Sequence, residues 1–583
     1  MARSTNSAPS RILPPEDRPV KIPEFRVEKI DALALALVLG FALLMIIRTG
    51  FIHGQELWPT PDAIEYAAMA VNMDRGLGPV LHFGGHTYPP RYMIGYPLIL
   101  AAAYPLVGHR PESLWVATTF MALVAIAGLY IFALWAFDRP SAIAAAVLLS
   151  TSPYFLGLSP TVMSDVPSVA VLGVAAVAFL YAAGKESVIA SALCGIFTGF
   201  AMAIRVTNGA ILLGMLAAVL LVEPRRLRLG QLIAFAIGLT AFPGLQAWEN
   251  FRFFGSPFSS GYAFWLPLDY KSFSRTFDPR LLFMPVDPAF RHGHLFYYGF
   301  ALLGLDGLFG QIDLNAEAGT LAHSHYAFYP FPVALFAVMG AFFVLRHTHN
   351  ANARRAIFLS SGFLAASLIV YVLYFYTDPR FLIPASFVVM ATAAYGLVNA
   401  NRAFDRGWKR FAVLGLDVIL GVAIAVETVT RIATPAAPSK LVPEVIAMQP
   451  VLKNSVVVSD LSLQWLEVFL HDEGIDFVSL TDLYAGELHG EYHLFFLNEN
   501  KSANSSVPLP HVLLPSGKVD FSEALRLAKE DKSGRPVYLL VAMPMTDEWT
   551  ARLTHMFAEI DRYFSHEAVV DLPEVGLYRL KPR

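Results

Sequence analysis

A few acids and bases stand where the apolar runs of this chain break off, and their types and spacing suggest chemistry. Asp62 and Glu65 are three apart, Asp165 follows a Ser-Pro-Thr stretch, and Arg205 separates two apolar runs. Glu249 and Arg252 are again three apart, and Asp378 and Arg380 flank a proline. A carboxylate can deprotonate a hydroxyl, and a guanidinium offers a fixed charge with a planar fork of donors suited to phosphate. Gathered around one cavity, such a set would bind an anionic head group and hold a carboxylate against it. Simpler readings stand beside this one. Acids in the first turn of a helix complement its positive end for about 0.3–1 kcal/mol, and arginines at the ends of apolar runs snorkel to a membrane interface.

The elements that would position these residues are membrane helices. Of 583 residues, 55% are hydrophobic and 15% charged, and the mean hydropathy is +0.51. That is more apolar surface than one soluble core can use. The net charge of −3 supplies no basic field, which sets nucleic-acid binding aside. Cys194 is the single cysteine, so no intrachain disulfide forms. About eleven segments are apolar enough to cross a bilayer: 32–47, 114–136, 141–154, 167–183, 188–204, 210–222, 232–248, 326–345, 357–376, 381–398 and 411–426. None is read as carrying a charge near its middle, where a charge would signal function. The first segment reads as a retained signal anchor.

Lys and Arg in alternate short loops (Arg139, Lys185, Arg225, Arg226, Arg228, Arg346, Arg354, Arg355, Arg402, Arg406, Lys409, Arg410) put the N-terminal tail, residues 1–29, on the cytoplasmic side. A transmembrane domain over 30–430 follows, with long outer loops at 48–113 and 249–325. An odd number of spans then leaves residues 436–583 outside. This tail alternates β-rich runs at 456–458, 477–480, 493–497, 537–543 and 577–580 with helical stretches at 461–471 and 546–560, the pattern of a small α/β domain. With no glycine-rich phosphate loop and no cysteine, it reads as a packing or recognition module. The fold class expected is an α-helical polytopic membrane protein with a small C-terminal soluble α/β domain.

In the first outer loop, Thr60 as N-cap and Pro61 at the first helical position start a helix carrying Asp62, Glu65 and Tyr66, amphipathic and suited to lie in the interface. His86-Thr87-Tyr88-Pro89-Pro90-Arg91-Tyr92 then leads into residues 94–107, too short to span and read as an interfacial or re-entrant helix. The pairs His292/His294 and His323/His325 lack an accompanying ligand set and read as polar loop residues.

These pieces resemble the GT-C fold of polytopic glycosyltransferases, in particular the bacterial relatives of protein O-mannosyltransferase and aminoarabinose transferase. The resemblance rests on the frame Asp62, Tyr66, Ala70; on Tyr96-Pro97-Leu98; on residues 159–167 around Asp165; on Arg205-Val206-Thr207; on residues 250–262; and on Asp378-Pro379-Arg380-Phe381-Leu382-Ile383-Pro384. It covers about the first 430 residues. It departs from many relatives in having Asp-Ala rather than Asp-Glu at the first motif.

The resemblance implies an enzyme of the cell inner (plasma) membrane, a hexosyl- or pentosyltransferase working in the cell envelope. It would move a sugar from a polyprenyl-phosphate donor to a glycan, lipid or protein acceptor on the extracytoplasmic face. Asp62 matches the family's catalytic acidic position, where it would act as the base, and Asp165 its second acidic position. Arg205, Arg252 and Arg380 become candidates for the donor phosphate, and Glu65, Tyr66, His86, Tyr88 and Tyr262 for the sugar and acceptor pocket. A divalent cation (Mg or Mn), if one is used, would sit on Asp62 or Asp165; no other cofactor is expected. The rival reading is a secondary transporter or lipid flippase, which would show paired repeats, broken helices and ionisable groups at the midplane. The sequence shows none of these clearly.

Overall fold

The computed structural model describes residues 25–57, 62–83, 86–222, 228–265, 273–284, 293–303, 331–348, 350–375, 378–404 and 407–433. Within the tail it describes 438–459, 463–470, 474–479, 534–542 and 560–583, with isolated residues between. Each of the eleven expected spans falls on a helix: Lys29–Thr49, Trp115–Ala136, Arg139–Ser150, Asp165–Lys185, Val188–Ile204, Ile211–Val222, Leu229–Phe254, Phe331–His347, Ala351–Leu373, Ile383–Ala403 and Gly407–Ala433. Seven are long and apolar enough to cross a membrane by length and composition. The other four have 12 or 17 residues. At 1.5 Å per residue the 12-residue helices fall short of a hydrocarbon core of about 30 Å. The chain is a multi-pass membrane protein.

Small residues set the close crossings, as expected where lipid supplies no hydrophobic drive between helices. Gly195 and Gly199 on Val188–Ile204 press against the Phe235 and Leu239 backbone of Leu229–Phe254, and Gly238 presses back on Ala192, so a side chain at any of these would collide with main chain. Gly340 and Gly396 make the same contact between Phe331–His347 and Ile383–Ala403.

The expectation that no span carries a mid-helix charge needs correction. Asp417 stands well inside Gly407–Ala433 and within the apolar window of that helix. It lies inside the expected segment 411–426, whose long apolar flanks keep the run hydrophobic enough to span despite the acid.

Apart from Asp417, ion pairs gather at the two ends of the bundle. At one end the buried Asp31 pairs with Arg139, and Arg402 Nη1 lies 2.9 Å from Asp138 Oδ2. The other end holds the first outer loop and the tail. There the hairpin of β1 (Leu81–Phe83) and β2 (His86–Tyr88) was not legible in sequence. The helix Gly95–Ala103, continued by a 3-10 turn to Val107, takes the place of the short apolar run. The helix Asp62–Asp74 does not lie amphipathically in an interface: every residue from Ala63 to Asn72 is buried. Gly95–Ala103 packs on it from the membrane domain and the helix Leu463–Phe469 from the tail. Its expected cap, Thr60 and Pro61, lies outside the described residues.

The tail sheet has the order β4-β3-β5-β7-β6, with β3 (Val456–Ser459) parallel to β4 (Asp476–Ser479) and to β5 (Val537–Ala542). The pair β6 (Phe564–Asp571) and β7 (Val575–Pro582) closes the sheet antiparallel. β6 went unread because Ser565, His566 and Glu567 interrupt its apolar pattern. The run 493–497 and most of 546–560 lie outside the described residues. The sheet is tied to the membrane domain at the start of the first loop. Trp465 Nε1 donates to the Glu56 carbonyl at 2.8 Å, and Ser439 Oγ donates to Glu56 Oε1 at 2.7 Å.

Candidate active site

Asp62 begins its helix, and its two carboxylate oxygens face different partners. Oδ1 accepts from the Tyr92 hydroxyl and lies 3.6 Å from Arg91 Nη2; Oδ2 accepts from Arg380 Nη2 at 3.1 Å. Its side chain keeps about 21% of its exposure. Burial works to raise its pKa, but the charges of Arg380 and Arg91 and the Tyr92 hydroxyl outweigh that and hold it below the usual carboxylate range. One turn on, Glu65 is fully buried, with Oε1 2.9 Å from the same Arg91 Nη2. The pair is off the hydrogen-bonding direction, so neither Glu65 oxygen has a hydrogen-bond partner among the described residues. Burial pushes Glu65 up to about 7; Arg91 opposes the shift and Asp62 adds to it.

A second acid–base pair stands beside the first. Asp165, fully buried at the start of its helix, is ion-paired with Arg205, and its Oδ2 has no hydrogen-bond partner among the described residues. Tyr66 Oη donates to Ser164 Oγ at 3.1 Å, tying the Asp62 helix to the Asp165 turn. Phe381 joins the two centres: Arg205 Cζ lies 5.1 Å and Arg380 Cζ 5.7 Å from the centre of its ring. Phe381 also stacks on Tyr371, whose hydroxyl is 2.6 Å from Thr207 Oγ1. Asp378 caps the 3-10 turn Pro379–Leu382 by accepting from the Arg380 amide, and its Oδ2 lies 2.9 Å from Arg380 Nε. Burial raises the Asp378 pKa against the pull of Arg380.

Aromatic rings line the Asp62 side. Tyr66 lies 4.6 Å from Tyr92 and 5.0 Å from Tyr96, and Tyr262 meets Tyr92 edge-on at 5.6 Å. Gly261 permits this approach, since a Cβ there would stand 2.6 Å from Arg91 Cα.

Thus Asp62, Glu65, Tyr66, Asp165, Arg205, Tyr262 and Arg380 come together. Two expected members lie elsewhere. Arg252 is half exposed, pairs with Glu249 at 3.6 Å and lies over Phe253. Tyr88 is buried on β2, where Glu467 of the tail is among the groups that raise its pKa, burial being the larger cause. The side chain of His86 is outside the described residues, as are His292, His323 and His325. His294 is buried in the helix His294–Leu303.

Arg91, Tyr92, Phe381 and Tyr371 were given no role from sequence. Arg91 and Tyr92 follow two prolines in a segment with no periodicity, so their only signal was a cation and a ring next to an extended Pro-Pro pair. A divalent cation on Asp62 or Asp165 would have to displace a guanidinium, and no group of three or more metal-ligating side chains occurs among the described residues. The donor set does not fit a metal, and no step is derived through one.

Residues 90–248 match the family model of dolichyl-phosphate-mannose-protein mannosyltransferase, a stretch that includes Arg91, Asp165 and Arg205. No curated protein matches the sequence. ArnT from Cupriavidus metallidurans bound to undecaprenyl phosphate superposes with a TM-score of 0.55 at 13% identity, covering 94% of this chain and 97% of that one. Its apo state gives 0.54 at the same identity and coverage. The Archaeoglobus fulgidus oligosaccharyltransferase tethered to an acceptor peptide gives 0.51 at 11% identity, covering 93% of this chain and 74% of that one. With eleven helices in place and these neighbours along nearly its whole length, the chain has the GT-C fold of polytopic membrane glycosyltransferases.

Proposed function

We propose that the protein is a membrane glycosyltransferase that moves one sugar from a polyprenyl-phosphate donor to an acceptor hydroxyl. The reaction would take place on the outer face of the cytoplasmic membrane, the side assigned by the basic short loops. The observation that carries the reading is a single acid, Asp62, bracketed by two guanidiniums and a tyrosine at the end of the bundle where the tail docks. ArnT, with the same fold, was solved with undecaprenyl phosphate.

In the proposed reaction Asp62 takes the proton of the acceptor hydroxyl. The acceptor oxygen bonds to the anomeric carbon, and the bond from that carbon to the phosphate oxygen breaks with its electron pair on the phosphate, which leaves as polyprenyl phosphate. Arg380 and Arg205, flanking Phe381, stabilise the growing negative charge on the leaving phosphate. Asp165 holds Arg205 in place, and Tyr66, Tyr92 and Tyr262 offer ring faces and hydroxyls to the sugar. Arg252, half exposed and paired with Glu249 outside this cluster, would meet the lipid phosphate on its approach.

The test is to present purified protein in lipid nanodiscs with a panel of polyprenyl-phosphate hexoses and pentoses and with glycan, lipid and protein acceptors. A covalent product with release of polyprenyl phosphate supports the reading. Movement of the donor between leaflets with no product would instead establish a flippase.

A further inference from the structure

The two guanidiniums on Asp62 are held very differently. Arg91 is 2.9 Å from Glu65 and 3.6 Å from Asp62, so its firmer hold is on Glu65. Glu65 is fully buried, and Arg91 is the cation that opposes its desolvation. Withdrawing Arg91 would strand a buried carboxyl group, a change that costs several kcal/mol when the group is charged. Arg380 has a second anchor. Its Nε faces Asp378 at 2.9 Å, while Nη2, the nitrogen on Asp62, is at the far end of the fork. The guanidinium can therefore keep Asp378 and turn Nη2 toward another anion. It sits on a 3-10 turn of four residues, beside the ring that Arg205 also covers.

Resting on the function proposed above, we propose that the donor's phosphate and Asp62 compete for Nη2 of Arg380, so that Asp62 is freed to act as the base only once the donor is bound. In the structure both Asp62 oxygens are engaged, one by Tyr92 and Arg91, the other by Arg380. A carboxylate so engaged is a weak acceptor for a proton. A phosphate ester, with more charge and more oxygens, takes the fork of Arg380. Oδ2 of Asp62 then faces the acceptor with one cation fewer, and its proton affinity rises. Arg91 stays on Glu65 and keeps the carboxylate aligned through Oδ1. Glu65 and Arg91 are positioning residues in this account, and Arg380 is the exchangeable one. The consequence is an ordered reaction in which an acceptor that enters first finds no base, which protects the acceptor site from futile proton transfer.

The test uses undecaprenyl phosphate alone as the probe, binding to the full-length protein in nanodiscs at pH 8, with wild type, Asp62→Asn and Glu65→Gln compared. Thermal unfolding confirms that each is folded. Removing the competitor for Arg380 should tighten binding roughly tenfold in Asp62→Asn, the size of coupling expected for a contacting charged pair. Glu65→Gln removes an acid one helical turn away that does not touch Arg380, and should stay within about twofold of wild type. Equal tightening in both variants would reduce the effect to general repulsion and overturn the proposal. No tightening in Asp62→Asn would also overturn it, and either result leaves the glycosyltransferase reading standing. No binding by any of the three would remove that reading together with the proposal.

Discussion

Arg380 follows Asp62 by 318 positions in the chain, yet its Nη2 lies 3.1 Å from Asp62 Oδ2. From there the contacts continue through Phe381 to Arg205, from Arg205 to Asp165, and from neighbouring Ser164 to Tyr66, back on the helix that Asp62 begins. Four separate stretches of chain thus close one circuit.

Breaking the second pair on one side should be worse than removing it. Arg205→Gln leaves Asp165 charged and fully buried, and a lone buried charge costs about 3–5 kcal/mol. The double variant with Asp165→Asn should regain much of the loss. Thermal unfolding of the three proteins in one detergent checks the order.

Glu65 predicts a pH dependence of stability. Its carboxyl is raised to about 7 in the folded protein from an ordinary value of 4.5. Between those values the folded state holds a proton that the unfolded state has lost, so the stabilisation is complete below about pH 4.5 and is lost as pH rises through 7. The slope approaches about 1.4 kcal/mol per pH unit. Unfolding midpoints from pH 4.5 to 8 should therefore fall more steeply for wild type than for Glu65→Gln; parallel curves would contradict the buried carboxyl.

The tail braces the Asp62 helix from behind. Trp465 is buried at the junction and donates to the Glu56 carbonyl. Trp465→Ala should loosen that contact at a cost of about 3–5 kcal/mol. Limited proteolysis should then release the tail sooner, and transfer should fall as Asp62 loses its support. Unchanged proteolysis would show that the docking rests on other contacts.

The membrane architecture was legible in the sequence because a span needs a long apolar run and little else: among the described residues, each expected segment, from residues 32–47 to 411–426, has a helix over most of its length. Asp62, Asp165, Arg205 and Arg380 were legible as charges interrupting those runs. What pairs with what was not. Arg91 bridges Asp62 and Glu65 only because a Pro-Pro segment, a glycine at 261 and the Gln246 side chain, which accepts from the Ile94 amide, fix that loop. None of these has a periodic signature. Arg252 looked equivalent to Arg380 by composition, but in the last turn of Leu229–Phe254 it pairs with Glu249 instead. Burial of the Asp62–Asp74 helix by the tail could not be read from either segment alone.

In the proposed reaction Asp62 is the base of a polyprenyl-phosphate-dependent sugar transfer. The most direct test is release of polyprenyl phosphate from a sugar-loaded donor in the presence of acceptor, comparing wild type with Asp62→Asn in nanodiscs. Release should fall by roughly 10²–10⁴-fold while the unfolding midpoint is kept. Release at the wild-type rate by a folded Asp62→Asn protein would contradict it.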